Sequence, residues 1–177
     1  MDESKFRPLR ALVLVRRDTP TAEKGGIIIP DNVRAYGWRA TVIRGGPDAS
    51  DYKEGDNILF QKEFTVLPFK DRTLALTDAK HILAKLAVEG NVEVIWPCNR
   101  FVMVNLDAAI RKEGAIELSD KTKKPIKTGV ISRRGSGCHD MKYGVRVWFE
   151  AGFGVDCVEN DAHYKILSED DILAIEK

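Results

Sequence analysis

Displaced by 89 positions, this 177-residue sequence matches itself. Pro8 then falls on Pro97, Val13 on Val102, Val15 on Val104, Asp18 on Asp107, Gly25 on Gly114 and Ile27 on Ile116. The same displacement sets Arg44 on Arg133, Gly46 on Gly135, Asp51 on Asp140, Lys53 on Lys142, Gly55 on Gly144, Phe60 on Phe149, Phe64 on Phe153 and Val66 on Val155. No gap is needed from Pro8 to Val66, and these fourteen identities fall within fifty-nine positions. Ordinary composition would give roughly one match in sixteen. Near the end the register slips by one, so that HILAKL (His81 to Leu86) aligns with DILAIE (Asp171 to Glu176). Self-similarity at a fixed period marks a repeated architecture. It predicts two copies of one domain, residues 1–89 and 90–177. The join at Glu89-Gly90-Asn91 is a short polar turn, which makes the copies close neighbours rather than beads on a long tether.

Each copy reads as short strands separated by turn signals. RALVLVRR (Arg10 to Arg17) is a continuous apolar run, too short for a helix and suited to a buried strand, and its counterpart is FVMVNL (Phe101 to Leu106). Further strands are expected at Ala40 to Arg44, Asn57 to Phe60, Phe64 to Phe69 and Thr73 to Leu76, with Val145 to Phe149 and His163 to Leu167 in the second copy. No segment carries a sustained helical period. Many short strands in fewer than about 90 residues predict an all-β chain with a small barrel or sandwich per copy.

Composition excludes several function classes. The chain is 44% apolar and 31% charged with a net charge of +1, which gives no electrostatic reason for a nucleic-acid groove or an anionic membrane surface as partner. No apolar segment approaches the roughly 18 residues that span a bilayer. The opening MDESKF carries acids and no apolar core, so neither a secretory signal nor a basic transit peptide is read there, and a cytosol is expected. Cys98, Cys138 and Cys157 are odd in number and lack CxxC spacing, which fits reduced thiols.

One apolar run fits no strand. In EKGGIIIPDN (Glu23 to Asn32) three isoleucines stand between a glycine pair and a proline, and the next apolar run begins only at Ala40. They lie in a connection of roughly twenty residues without a period, a length that compact domains use for functional or disordered loops. The residues alone leave two readings open: a cluster that anchors the loop to the core, or an exposed binding segment. In the second copy EGAIELSD (Glu113 to Asp120) falls at the same offset, followed by a similar interval before a strand expected from Gly129.

These features resemble the chaperonin-10 family, the GroES-like co-chaperonin lids of bacterial chaperonins. The likeness rests on RPL followed by VLVRR between Arg7 and Arg17, GGIII at Gly25 to Ile29, KEGD with ILF between Lys53 and Phe60, and the ending ILSEDDILAI at Ile166 to Ile175. It covers nearly the whole chain. A tandem arrangement is similar to the plastid double-domain co-chaperonins, but the lack of a transit peptide points to a bacterial or virus-infected host cytosol. The resemblance implies two small GroES-like β-barrels, each with a long mobile loop, in a homo-oligomeric ring that caps a chaperonin-60 (GroEL-like) ring around a folding substrate. It implies no enzymatic activity, cofactor or metal, and ATP is used on the chaperonin side. The chaperonin-binding residues it implies are Gly25, Gly26, Ile27, Ile28 and Ile29, with Ile116, Glu117 and Leu118 in the second copy. The alternative is a structural or adaptor module that kept the barrel and lost the chaperonin.

The sequence departs from the family pattern in two places. Only eight residues separate Gly46 from Gly55, and Gly135 from Gly144, where the family has a longer hairpin that roofs the dome. Both copies read as having a shortened roof turn. The second departure is Glu117, a carboxylate at the centre of the second tripeptide. Other candidates lack context. Cys138-His139-Asp140 has no further ligand pair at metal spacing and reads as a surface turn. DKTKKPIK (Asp120 to Lys127) reads as a solvated loop. RRGSG (Arg133 to Gly137) lacks the strand-to-helix setting of a phosphate loop. An enzyme related to the alcohol dehydrogenases that carry a chaperonin-10-like domain would need a dinucleotide fingerprint or a zinc-ligand set, and neither is present.

Overall fold

In the computed structural model the described residues are 5–18, 23–24, 27–28, 38–61, 64–67, 73–90, 92–107, 125–160 and 162–176. Among them there is no α-helix. The strands of the first half are β1 (Leu12–Arg17), β2 (Glu23–Lys24), β3 (Ile27–Ile28), β4 (Trp38–Gly45), β5 (Asn57–Phe60), β6 (Phe64–Val66), β7 (Leu74–Asp78) and β8 (Ile82–Glu89). Those of the second are β9 (Val92–Pro97), β10 (Phe101–Leu106), β11 (Ile126–Arg134), β12 (Arg146–Glu150), β13 (Val155–Glu159), β14 (Ala162–Ser168) and β15 (Ile172–Ile175). The chain is all-β, as its patterning predicts. β11 begins three residues before the expected Gly129, and the strand expected over Phe64 to Phe69 is β6, which ends at Val66.

One sheet runs β6-β7-β1-β4-β5-β8-β9 and another β13-β14-β10-β11-β12-β15. Without β9, the two orders are the same strand for strand. The irregularities repeat as well. The β1–β4 ladder slips between Leu14 and Val15, and the β10–β11 ladder between Met103 and Val104. A second slip falls between Leu59 and Phe60, matched between Trp148 and Phe149. Bulges bend a strand and tighten its twist, so their recurrence at an offset of 89 curls both sheets at the same points. The one-residue change of register lies earlier than the sequence match suggests. Val66 faces Ala75, but it is Asp156, not Val155, that faces Lys165 at the corresponding rung. The extra residue therefore sits in the connection between β12 and β13.

Each sheet curls around its own core. Val13, Val15, Val42, Ala49, Tyr52, Ile58 and Phe60 are buried in the first half, and Val102, Val104, Ile131, Cys138, Met141, Val147 and Phe149 stand at the same seven places in the second. Both short roof turns fold back onto these cores. Gly46 and Gly135 donate their N–H to the carbonyls of Leu12 and Phe101 at 2.8 Å, and a Cβ on either would lie 2.2 Å from Arg10 O or 2.4 Å from Asn99 O. Only glycine permits that approach. The turn at Cys138-His139-Asp140 is thus only partly a surface turn: His139 and Asp140 are exposed, while the Cys138 side chain fills the core position that Ala49 holds in the first half.

β9 belongs by sequence to the second copy but pairs along β8, from Ala84 opposite Pro97 to Glu89 opposite Val92. The turn between them carries Gly90 at φ +68°. A third buried cluster lies across this joint: Leu59, Leu83 and Ala84 from the first half meet Ile95, Phe101, Met103, Cys157 and Ile166 from the second. A buried carboxylate fixes the register. Glu159 accepts from the Ile95 N–H at 2.9 Å and from both terminal nitrogens of Arg133 at 2.5 and 2.8 Å, while Arg133 also donates to Ile95 O at 3.1 Å and stacks on Trp96. Asn99, at φ 50°, donates its side-chain amide to the carbonyls of Ala79 and Ile82 and to the Tyr52 hydroxyl.

Burial alone would raise the Glu159 pKa, but the hydrogen bonds from Arg133 and Ile95 outweigh it and hold the carboxyl below its ordinary range. A carboxylate with a depressed folded-state pKa stabilises above its unfolded value and loses that contribution as pH falls through the folded one. We expect Glu159→Gln to cost about 2 kcal/mol at neutral pH, by weakening charge-assisted hydrogen bonds across the joint. The gap between wild type and variant should narrow below the ordinary value of 4.5. Urea unfolding of both proteins at neutral and acid pH measures this.

Candidate functional site

Between β1 and β4 the chain leaves the first sheet and returns to it. The exit is closed by the Asp18 N–H, which donates to Arg39 O at 3.0 Å. Within this excursion β2 and β3 form an antiparallel ladder of their own, with Glu23 opposite Ile28 and Lys24 opposite Ile27. Ile27 and Ile28 are therefore paired residues of a two-rung ladder. The sequence joining the two strands is Gly25-Gly26, the residue type favoured in two-residue hairpin connections. A two-stranded ladder this short is marginal in water, so a partner needs little energy to remodel it. Gly25, Gly26 and Ile29 lie outside the described residues, as do Ile116, Glu117 and Leu118 of the second tripeptide.

The second excursion has an equivalent root. The Asp107 N–H donates to Thr128 O at 3.2 Å, eighty-nine positions on from the Asp18–Arg39 bond. The side chains at the two roots differ. In the second, the Thr128 hydroxyl donates to Asp107 at 2.7 Å and Arg146 pairs with the same carboxylate at 3.1 Å, so the clasp stays among neighbouring strands. In the first, the Arg39 guanidinium makes a two-pronged bond to Glu93 on β9, at 2.7 and 2.5 Å. Sequence reading finds the isoleucines but misses these roots. Arg39 and Glu93 stand on strands separated by two others in the sheet, and nothing in their sequence spacing links them.

The remaining reactive side chains form no constellation. Among the described residues no group of three or more His, Cys, Asp or Glu side chains could hold a metal ion, and no helix is long and apolar enough to cross a membrane. The Cys138 thiol donates to the Phe101 carbonyl at 3.5 Å, and burial pushes its pKa to about 11. Burial likewise pushes Cys157 to about 12. A nucleophilic cysteine needs the opposite shift. With iodoacetamide at pH 8, Cys138 and Cys157 should stay unmodified in the native protein and react only on unfolding, whereas half-buried Cys98 should react slowly; mass spectrometry of the labelled peptides checks this.

Comparison with known proteins sets this geometry in context. A sequence profile described as "Chaperonin 10 Kd subunit" matches residues 5–86, which includes the isoleucine hairpin and ends within β8. "Co-chaperonin GroES 1" of Mesorhizobium japonicum is 46% identical over 68 residues, covering 33% of this chain and 65% of that protein. "Co-chaperonin GroES" of a Caulobacter species is 46% identical over 68 residues, 33% of this chain and 71% of its own. "Co-chaperonin GroES 1" of Rhodopseudomonas palustris is 40% identical over 72 residues, 35% and 74% respectively. The chain thus spans about two thirds to three quarters of the length of these relatives.

Proposed function

The chain belongs to the chaperonin-10 family, and from that premise we propose that it acts as a non-enzymatic co-chaperonin in a cytosol, capping a GroEL-like ring through its aliphatic tripeptides. The observation that carries this reading is the isoleucine hairpin. It is a separate two-stranded ladder on a closed root, inside the region that matches the family. Burying one isoleucine in an apolar groove contributes about 1.5 to 3 kcal/mol, while ordering a long loop costs about 1 to 2 kcal/mol per residue. Each loop then binds weakly, and several presented together give a tight but reversible cap through effective concentration.

The backbone repeat supports extending the reading to residues 90–177 as a second copy, and the Phe6 segment and the exposed face of β15 support assembly. Phe6 stands in the first copy where Ile95 stands in the second: Arg44 donates to Phe6 O at 3.3 Å, as Arg133 does to Ile95 O. The cluster of Leu14, Leu67 and Leu74, with Phe6, Ile43 and Leu76 packed against it, corresponds to the second-copy side of the joint, and among the described residues no strand pairs there as β8 pairs with β9. At the other end β15 repeats β8, yet Leu83 is 1% exposed in the joint and its counterpart Leu173 is 56% exposed. One chain therefore offers both halves of a joint, and head-to-tail copies would complete it. Such a contact makes a closed ring when the rotation closes. Two copies per chain give an even total of barrels, which an odd-numbered chaperonin ring meets only if one stays idle or the copies stack.

Two experiments test the reading. Ile28→Ser should severely weaken capping of a chaperonin ring with nucleotide, read by co-migration on a sizing column. Glu117→Val should leave it intact or strengthen it, because a carboxylate entering an apolar groove loses hydration without a partner. A silent Ile28→Ser would instead favour an adaptor module that no longer binds chaperonin. For the ring, native mass measurement should give a multiple of the chain mass for wild type and single chains for Leu173→Asp, with the thermal midpoint nearly unchanged; a wild-type monomer under capping conditions overturns the ring.

A further inference from the structure

The two loop roots are held by different parts of the chain, and the first depends on a residue of the second copy. Arg39 lies on β4, one residue from the end of the first excursion, and the Arg39 O accepts the hydrogen bond that closes it. Its guanidinium reaches across β5 and β8 to Glu93 on β9. The Arg–carboxylate fork has a planar geometry that fixes direction as well as distance. Glu93 lies opposite Val88 near the tip of the β8–β9 hairpin. Among the described residues the second root has no such tie: Thr128 stands at the place of Arg39, and its hydroxyl donates to Asp107 beside it.

We infer that Glu93 is a positioning residue for the isoleucine hairpin: by gripping Arg39 it fixes the direction in which the first loop rejoins the sheet before any chaperonin arrives. The inference rests on the capping function proposed above. Holding one end of a loop in its bound direction removes part of the entropy that binding would otherwise cost. An exposed pair of this kind changes an equilibrium about two- to fivefold in a single loop. Several loops acting together on one chaperonin ring compound that factor. The joint between the copies would thus do more than connect them, since the strand that begins the second copy aims the loop of the first.

The test uses the full chain with three variants: Glu93→Gln, which removes the charge and keeps the shape; Arg39→Lys, which keeps the charge and loses the fork; and the swapped pair Arg39→Glu with Glu93→Arg. Each is measured for chaperonin affinity with nucleotide, for thermal midpoint, and for amide hydrogen exchange at Asp18 and Ala40. Glu93→Gln and Arg39→Lys should weaken affinity at least twofold and speed exchange at both amides, with the midpoint unchanged, and the swap should restore both readings. Wild-type affinity and exchange in Glu93→Gln would overturn the inference, as would a loss of affinity that only follows a lower midpoint. If the wild-type chain binds no chaperonin, the capping function fails on its own. The amide exchange then still decides the clasp: faster exchange in Glu93→Gln upholds it, and unchanged exchange removes it.

Discussion

The pairing of β8 with β9 is the interaction on which the rest of the molecule depends. Without it β8 would be an open edge, with the Leu83 and Ala84 side chains in water and a row of unpaired backbone groups beside them. β9 satisfies that edge through a six-rung ladder and brings with it Ile95, whose N–H and carbonyl are both engaged by the Glu159–Arg133 pair. The pair is costly to bury in isolation, and its geometry recovers that cost only when the strand is in register, because a one-residue slip would present a different set of side chains to the cluster. The apolar contacts supply the stability of the joint, and the carboxylate supplies its register.

A joint of this kind has a geometric consequence for a chain built from a repeat. A leading segment and a trailing strand recur about 89 positions apart, and among the described residues one such pair, β8 and β9, meets. The Phe6 segment is already held by Arg44 as Ile95 is by Arg133, so the leading half forms without its partner. The trailing half at β15 exposes Leu173 and Ile175. The two ends are therefore unequal: Leu14, Leu67 and Leu74 are buried behind the Phe6 segment, whereas β15 presents its apolar side chains to solvent.

Much of this was legible in the sequence, and the exceptions have physical causes. The self-match at 89 positions carries much of the fold: seven core positions recur at that offset, because inward-facing residues are constrained by packing while the loops between them are not. The register change was placed too late, because Phe64 with Phe153 and Val66 with Val155 match by residue type across a connection that had already gained a residue. VEVIWP has the alternating valines and tryptophan of a half-buried strand, but nothing in its own neighbourhood shows its partner, which is β8. The isoleucines were legible as an anomaly, since an apolar tripeptide in a polar connection violates the pattern. Their pairing with Glu23 and Lys24 was not, because a two-rung ladder is too short to leave a period. The root clasp was invisible for a different reason: a side-chain bridge across two intervening strands has no signature in linear spacing.

The two copies share a backbone down to single hydrogen bonds and differ at the places where each loop joins its sheet. Two sheets of one strand order offer two equivalent roots, but β9 makes their surroundings unequal, because it extends the first sheet beyond β8 and has no counterpart beside β15 among the described residues. Arg39 finds Glu93 only because β9 follows, and Thr128 turns instead to Asp107 and Arg146 of its own sheet. The inequality therefore begins with the topology. Glu117, at the centre of the second tripeptide, adds a difference of sequence to this difference between the roots. Divergence of the two loops is thus the expected result of joining two copies through one strand.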